Sequence, residues 1–465
     1  MVSISNLINS GLLLVTQNAY PDLATPQQAA TENYNIIKFL GGSAPYIQRD
    51  GYGIDVDLPA NCSYQQVQLL SRHGERFPGS GEGATFERIY KKFQNYNKTF
   101  TGDLEFLNTY TYFVPDQSLY EKETTPSNSQ GLYAGVTTAY RHGAYFRAKY
   151  NDLFAANTTT LPIFTSNSGR VYQTSNYFAR GFLGDQFNQG VNVRFNILNE
   201  SASLGANSLT PSIGCKTYNT GANASLIAEY NTTAYLQPIV NRLVGQNPGL
   251  NLTTSDVQSL FSWCAYEINV RGESPFCTLF TNEEFVRNSY HTDLSNYYSV
   301  GPGHNFTATI GAPFLNASLA LLKNDSAENK IWLSFSHDSD LERFHAALGI
   351  LEPTTPLPTS YIPFPNPYVH SSIVPQAARI YTEKYQCSNT SYVRYIVNDA
   401  VIPIPGCNAG PGLSCEFSEF EKYIEGRIGH LNFTDTCELT ASQPNKVTFF
   451  WDWTTTNYSG SLGNF

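Results

Sequence analysis

No apolar run in the 465-residue chain approaches the ~20 residues needed to cross a bilayer, so no transmembrane helix and no membrane partner are expected. Basic residues are scarce: Lys and Arg total 28 against 38 Asp and Glu, for a net charge of -10 and a pI near 5.3. A nucleic-acid binder would show a basic patch or stripe, so that class is set aside. The acidic balance suits a soluble protein in an acidic medium, where net charge and self-repulsion stay modest. No Lys or Arg precedes Lys38, so Leu12-Leu-Leu-Val15 lacks the basic flank of a secretory leader. Cys-x-x-Cys and paired His tracts are also missing, which removes the usual zinc spacings.

What is present points outside the cell. Eight cysteines, an even number, stand at 62, 215, 264, 277, 387, 407, 415 and 437 and favour disulfides in an oxidising compartment. Asn-x-Ser/Thr sequons recur at Asn61, Asn97, Asn157, Asn199, Asn223, Asn231, Asn251, Asn305, Asn316, Asn324, Asn389, Asn432 and Asn457. That density reads as N-linked glycans on a secreted or cell-wall surface. The hydrophobic share, 41%, is ordinary for a globular core. The length allows two or three domains, or one large domain with an insertion.

The chain is organised around Gln66-Val-Gln-Leu-Leu-Ser-Arg-His-Gly-Glu-Arg-Phe-Pro78. Gln68, Leu69 and Leu70 open it as a short strand, and Gly74 and Pro78 punctuate a loop. The loop holds Arg72, His73 and Arg76 within a few residues. Guanidinium forks match phosphate oxygens and stay charged at any relevant pH. Their charge also disfavours imidazolium, which leaves His73 nucleophilic in fairly acid water. A lone Arg-His-Gly is equally a charged surface turn; Arg-His-Gly-x-Arg-x-Pro fixes more positions. This stretch resembles the active-site signature of the histidine acid phosphatases, the family of secreted fungal acid phosphatases and phytases. The resemblance implies that His73 becomes phosphorylated and that Arg72 and Arg76 bind phosphate.

Residues 1 to about 35 form a polar, Gln/Ala-rich arm. It is either a frayed terminus or an arm reaching to a second subunit, which would make a homo-oligomer. Gly79 to Gly83 predicts a flexible loop, and Phe86, Ile89, Tyr90 and Phe93 predict a helix after it. Strand, anion-binding loop and helix is the general phosphate-site order. Residues 129 to 154 predict a long amphipathic helix with Leu132, Tyr133, Val136, Tyr140, Ala144, Phe146 and Leu153 as its apolar set. Inside it lies a second Arg-His-Gly at Arg141, His142 and Gly143, without the second Arg, the Pro or a preceding strand; it is read as structural.

Leu161-Pro-Ile-Phe-Thr165 predicts a second short apolar strand. Arg170 follows its turn at the start of a helix running to about Phe182. By spacing alone Arg170 faces either solvent or the cleft; the resemblance makes it a third phosphate-binding Arg. From 186 to 330 the texture turns Asn/Thr-rich with helical periods, as at Leu236, Ile239 and Leu243, and reads as a mostly helical cap. Glu267, in Tyr266-Glu-Ile-Asn-Val-Arg271, is either a surface ion-pair partner or, by the resemblance, a substrate-selecting residue. The second acidic partner of that pattern, in the loop after the signature, is absent.

Ile331-Trp-Leu-Ser-Phe335 predicts a strand buried on both faces, ended by His337 and Asp338 before another helix. Ligands bind at strand C-terminal ends in open α/β sheets. The resemblance makes His337 a phosphate contact and Asp338 the proton donor, with no metal and no organic cofactor. A metal-dependent phosphohydrolase is the rival, but no helix-borne His/Asp set completes a site. Residues 378–385 and 392–397 predict a hairpin. Eight cysteines allow many pairings; the resemblance implies 62–387, 215–437, 264–277 and 407–415.

The expected fold is α/β: a large domain with a central mixed sheet flanked by helices, from 39–185 and 331–465, plus a smaller helical cap from 186–330, after an arm or leader over 1–38. This arrangement is phosphoglycerate-mutase-like. The resemblance spans Phe39 to Trp453 and implies a secreted acid phosphatase acting on phosphomonoesters, phytate (myo-inositol hexakisphosphate) among them. The alternatives are a non-specific acid phosphatase with little phytase activity, a phosphoglycerate-mutase-like transferase, or an inactive cell-wall glycoprotein.

Overall fold

The computed structural model describes residues 36–131, 133–154 and 160–463. The arm over 1–35, the sequon at Asn157 and Leu132 lie outside the described residues. One eight-stranded sheet forms the centre. Its strands are β1 (Cys62–Arg72), β2 (Leu161–Ser166), β3 (Val193–Leu198), β4 (Ile331–Ser336), β5 (Arg379–Cys387), β6 (Thr390–Val397), β7 (Ala400–Ile402) and β8 (Cys415–Glu416). The order is β3-β2-β4-β1-β5-β6-β7, with β8 on β6. β1, β2, β3 and β4 run parallel, and β5 turns the sheet antiparallel. The register sets Arg72 opposite Ser336 and Thr165 opposite Phe335. The parallel strands therefore end together on one edge, where a ligand can sit outside their carboxyl ends.

The longer helices among the described residues are α1 (Ser80–Gln94), α2 (Gly135–Lys149), α3 (Gly169–Leu183), α4 (Thr233–Gln246), α5 (Thr254–Arg271), α6 (Asn282–Ser299), α7 (Thr307–Lys323), α8 (Asp338–Leu348) and α9 (Phe417–Ile428). One sheet face packs Val67, Leu69, Leu333 and Phe335 against Phe146 and Phe178 of α2 and α3. Each such side chain contributes roughly 1.5–3 kcal/mol on burial. Toward α7, β1 carries Gln66 and Gln68. Burying these amides is affordable because they donate to the Leu321 and Ser318 carbonyls of α7 at 2.8 and 3.0 Å. A second apolar body joins α1, α4 and α5 through Phe86, Ile89, Ile239, Leu260, Phe261 and Trp263.

Several expectations change. Gly79 to Gly83 is not a loop: α1 begins at Ser80, and Glu82 accepts from the Gly79 amide at 3.0 Å. Gly83 serves close approach, since a Cβ there would meet the Tyr120 ring at 2.3 Å. The helix expected over 129–154 is confined to Gly135–Lys149. Tyr140 and Ala144 of its expected apolar set are exposed. Val136 and Phe146 of that set are buried, and small residues let the helix approach α3 closely: a Cβ on Gly143 would lie 2.0 Å from the Phe178 carbonyl, and one on Gly181 of α3 1.9 Å from that of Tyr140. His142 of the second Arg-His-Gly is buried there, bonded to the Tyr381 hydroxyl at 2.7 Å.

The cap boundary at 186 also shifts. Val193–Leu198 falls inside the expected cap yet pairs with β2 as the sheet's edge. Conversely, α1 belongs to the helical body although it lies far upstream of the expected cap. Asn and Thr enrichment marks exposed surface, and surface is shared by both bodies. The hairpin forms as β5 and β6. The four disulfides are 62–387, 215–437, 264–277 and 407–415. Among the described residues no helix is long and apolar enough to cross a membrane.

Candidate active site

β1 delivers Arg72 and His73 to the sheet edge, both 2% exposed. The Arg72 guanidinium is held by three acceptors: the Gly42 and Val374 carbonyls, each at 2.6 Å, and Asp338 Oδ2 at 2.8 Å. The His73 amide donates to the Ser336 carbonyl at 3.2 Å, which ties the ends of β1 and β4 together. His73 Nδ1 lies 2.9 Å from the Gly74 carbonyl. A carbonyl only accepts, so Nδ1 carries the proton and the Nε2 lone pair is free. Burial, then Arg72, Arg170, Arg76 and His337, holds the imidazole well below its ordinary pKa. Both causes favour the neutral form of the ring.

The loop is braced from beneath. The Gly74 amide donates to Glu123 Oε1 at 2.7 Å and to Thr174 Oγ1 at 2.8 Å, and Thr174 also bonds Glu123. Burial pushes the Glu123 carboxyl up to about 8, so it is a neutral acid in an acidic medium. Arg76 anchors its amide on Gln376 at 2.8 Å and places its guanidinium over the Tyr266 ring, 5.3 Å from the centroid. Arg170, in the first turn of α3, pairs with Glu121 at 2.6 Å.

β4 delivers the opposite wall. The His337 ring stands 5.9 Å from that of His73, nearly perpendicular to it, and its Nε2 lies 2.6 Å from Glu200. Asp338 opens α8 and accepts from the Ser339 amide at 2.8 Å. Burial alone would raise this carboxyl. Arg72, His370, His337 and the Ser339 amide outweigh it and hold Asp338 well below the usual carboxylate range.

Arg72, His73, Arg76, Arg170, His337 and Asp338 thus come together from three strand ends. Glu267 does not join them. It is 0% exposed, and its carboxylate is occupied by Arg271 at 2.6 Å, Ser274 at 2.6 Å and Tyr110 at 2.8 Å. Its neighbour Tyr266 faces the site instead, under Arg76 and bonded to Glu82 at 2.8 Å. Sequence reasoning missed Glu121, Glu123 and Glu200. Glu200 follows β3 by two residues, so recognising that strand would have flagged it; no local pattern marks the other two.

The arrangement can hold a tetrahedral anion between three guanidiniums and an imidazole, with a bare nitrogen on one side and a carboxyl on another. Comparison with known proteins agrees with this chemistry. The family model for the histidine phosphatase superfamily (branch 2) matches residues 64–398. A phytase of Candida albicans is 62% identical over 462 residues, covering 99% of this chain and 100% of the relative. The constitutive acid phosphatase of Saccharomyces cerevisiae is 42% identical over 464 residues, covering 98% and 97%. The crystal structure of the phytase from D. castellii superposes with a TM-score of 0.91 at 55% identity, covering 96% of this chain and 97% of that one. With the signature loop, the mixed sheet and these matches in agreement, the chain belongs to the histidine phosphatase superfamily, branch 2.

Proposed function

We propose that this protein is a secreted acid phosphatase that hydrolyses phosphomonoesters, phytate among them, through a phosphohistidine intermediate. The observation that carries the reading is the tautomer of His73. Nδ1 is committed to the Gly74 carbonyl, which leaves Nε2 unprotonated amid three arginines. Nε2 attacks phosphorus in line while Arg72, Arg76, Arg170 and His337 neutralise the equatorial oxygens; positioning and charge stabilisation supply most of the acceleration. Asp338 gives its proton to the departing alcohol oxygen as the P–O bond breaks. Its carboxylate then takes a proton from the water that attacks the phosphohistidine, and His73 and inorganic phosphate are released.

Two features support secretion. Among the described residues every cysteine is in a disulfide. The sequon asparagines there are none of them buried, and all but Asn223 and Asn324 are exposed, as glycan attachment requires. Phytate is included because relatives over nearly the full chain are phytases.

The test is rapid mixing with a radiolabelled phosphomonoester at about pH 5 with EDTA present, then an alkaline quench. The expected result is a base-stable, acid-labile label on the parent and neither label nor turnover in His73→Ala. Turnover without any trapped label in the parent would refute the covalent route.

A further inference from the structure

Each guanidinium of the site carries a carboxylate, and so does the second imidazole: Arg72 has Asp338, Arg76 has Glu82 at 3.7 Å, Arg170 has Glu121 and His337 has Glu200. Anions in a site for anions need a reason. Asp338 has one as proton donor. Glu82 has another, since it caps α1 and accepts from Tyr266. Glu121 has neither. Its backbone sits at φ 69°, a left-handed conformation that costs a Glu energy and a Gly none.

That conformation occurs where residues 121–123 run back along 76–78. The Glu121 amide donates to the Pro78 carbonyl and the Phe77 amide to that of Lys122. It turns the carboxylate into the cleft. Oε1 accepts from the Ser80 amide at 2.8 Å, and Oε2 meets Arg170 at 2.6 Å. The same charge acts on Arg76. With about one fifth of its side chain exposed, Glu121 forms the wall between the two outer arginines and still faces incoming substrate.

We infer that Glu121 is a specificity-determining residue that disfavours densely phosphorylated substrates relative to isolated monoesters; this rests on the phosphatase reading above. A single phosphate places its charge at His73, inside the arginine set. The further phosphates of a polyphosphorylated ring would extend outward past the arginine set toward the Glu121 wall, where like charges repel.

The test compares kcat/KM for myo-inositol hexakisphosphate with kcat/KM for p-nitrophenyl phosphate at one pH and ionic strength. Glu121→Gln removes the charge but keeps an acceptor for Ser80, and Glu121→Gly suits the left-handed backbone, so failure to fold in one leaves the other. The ratio of the two values is expected to rise roughly tenfold in both variants, about the effect of one partly solvated charge, and the gain should shrink at high salt. A ratio that stays within about twofold of the parent's, or falls, would mean that Glu121 only aligns Arg170 and would overturn the inference. A parent inactive on p-nitrophenyl phosphate would instead overturn the phosphatase reading beneath it.

Discussion

Replacing Asp338 by Asn probes both roles that the geometry allows this side chain. In the free protein it is the counter-ion of Arg72, at 2.8 Å, and 38% of its side chain opens to the cleft. A carboxylate held that low carries no proton at a working acid pH. Bound phosphate must therefore take over Arg72, lift the depression and let Asp338 acquire the proton it hands on. Two outcomes follow from Asp338→Asn. Alkyl phosphates, whose leaving oxygen needs the proton, should lose roughly 10²–10⁴-fold in kcat, the usual worth of a general acid. With p-nitrophenyl phosphate, whose leaving group departs unaided, the loss should stay below about tenfold. Binding should move the opposite way. At 2.8 Å the fully water-screened Coulomb attraction is already about 1.5 kcal/mol, so removing this competitor should tighten inhibition by inorganic phosphate roughly tenfold. Steady-state kinetics over a leaving-group series, with inhibition by inorganic phosphate, measures both. Equal losses across the series would refute the donor role, and unchanged inhibition would refute the competition.

Two further predictions concern stability. Glu123 is raised to about 8 by burial, so the native state holds a proton that the unfolded chain releases above about pH 4. Stability is then lost as pH climbs from there toward 8, by up to a few kcal/mol. Glu123→Gln should flatten that decline in urea unfolding between pH 5 and pH 8; an unchanged slope would refute the neutral acid. Asp256 behaves oppositely. Burial works against its charge, but Lys92 at 2.6 Å, the Thr253 amide and Arg88 at 2.7 Å offset this and hold it at about 2. Its contribution is complete above the unfolded carboxyl value and lost as pH falls through 2. Asp256→Asn should therefore cost about 1–3 kcal/mol near pH 6, and the difference from the parent should fade by about pH 2. A difference of the same size at both pH values would count against the ion pairs.

The cationic half of the site was legible because it is local. Arg72, His73, His337 and Asp338 stand at the ends of β1 and β4, where apolar runs stop and a phosphate loop or helix begins. Arg170 obeys the same rule after β2. The anionic half was not. Glu121 reaches Arg170 from an irregular segment 49 residues away, and Glu200 reaches His337 across 137. Glu267 was misplaced for a different reason. Residues 263–270 of α5 are all buried, so no polar stripe reveals which way the helix is turned. One residue on a helix rotates the side chain by about 100°, enough to exchange Tyr266 for Glu267 at the site.

The sequence alone names the groups that bear fixed charge, points to one imidazole as the candidate nucleophile and places both at expected strand ends. These follow from residue types and short-range pattern. Only the tertiary structure decided the protonation pattern and the wall of the cleft. Which nitrogen of His73 is free depends on the Gly74 carbonyl. Which carboxylate offsets which cation depends on loops brought together from distant parts of the chain, because electrostatics acts through space and not along the backbone.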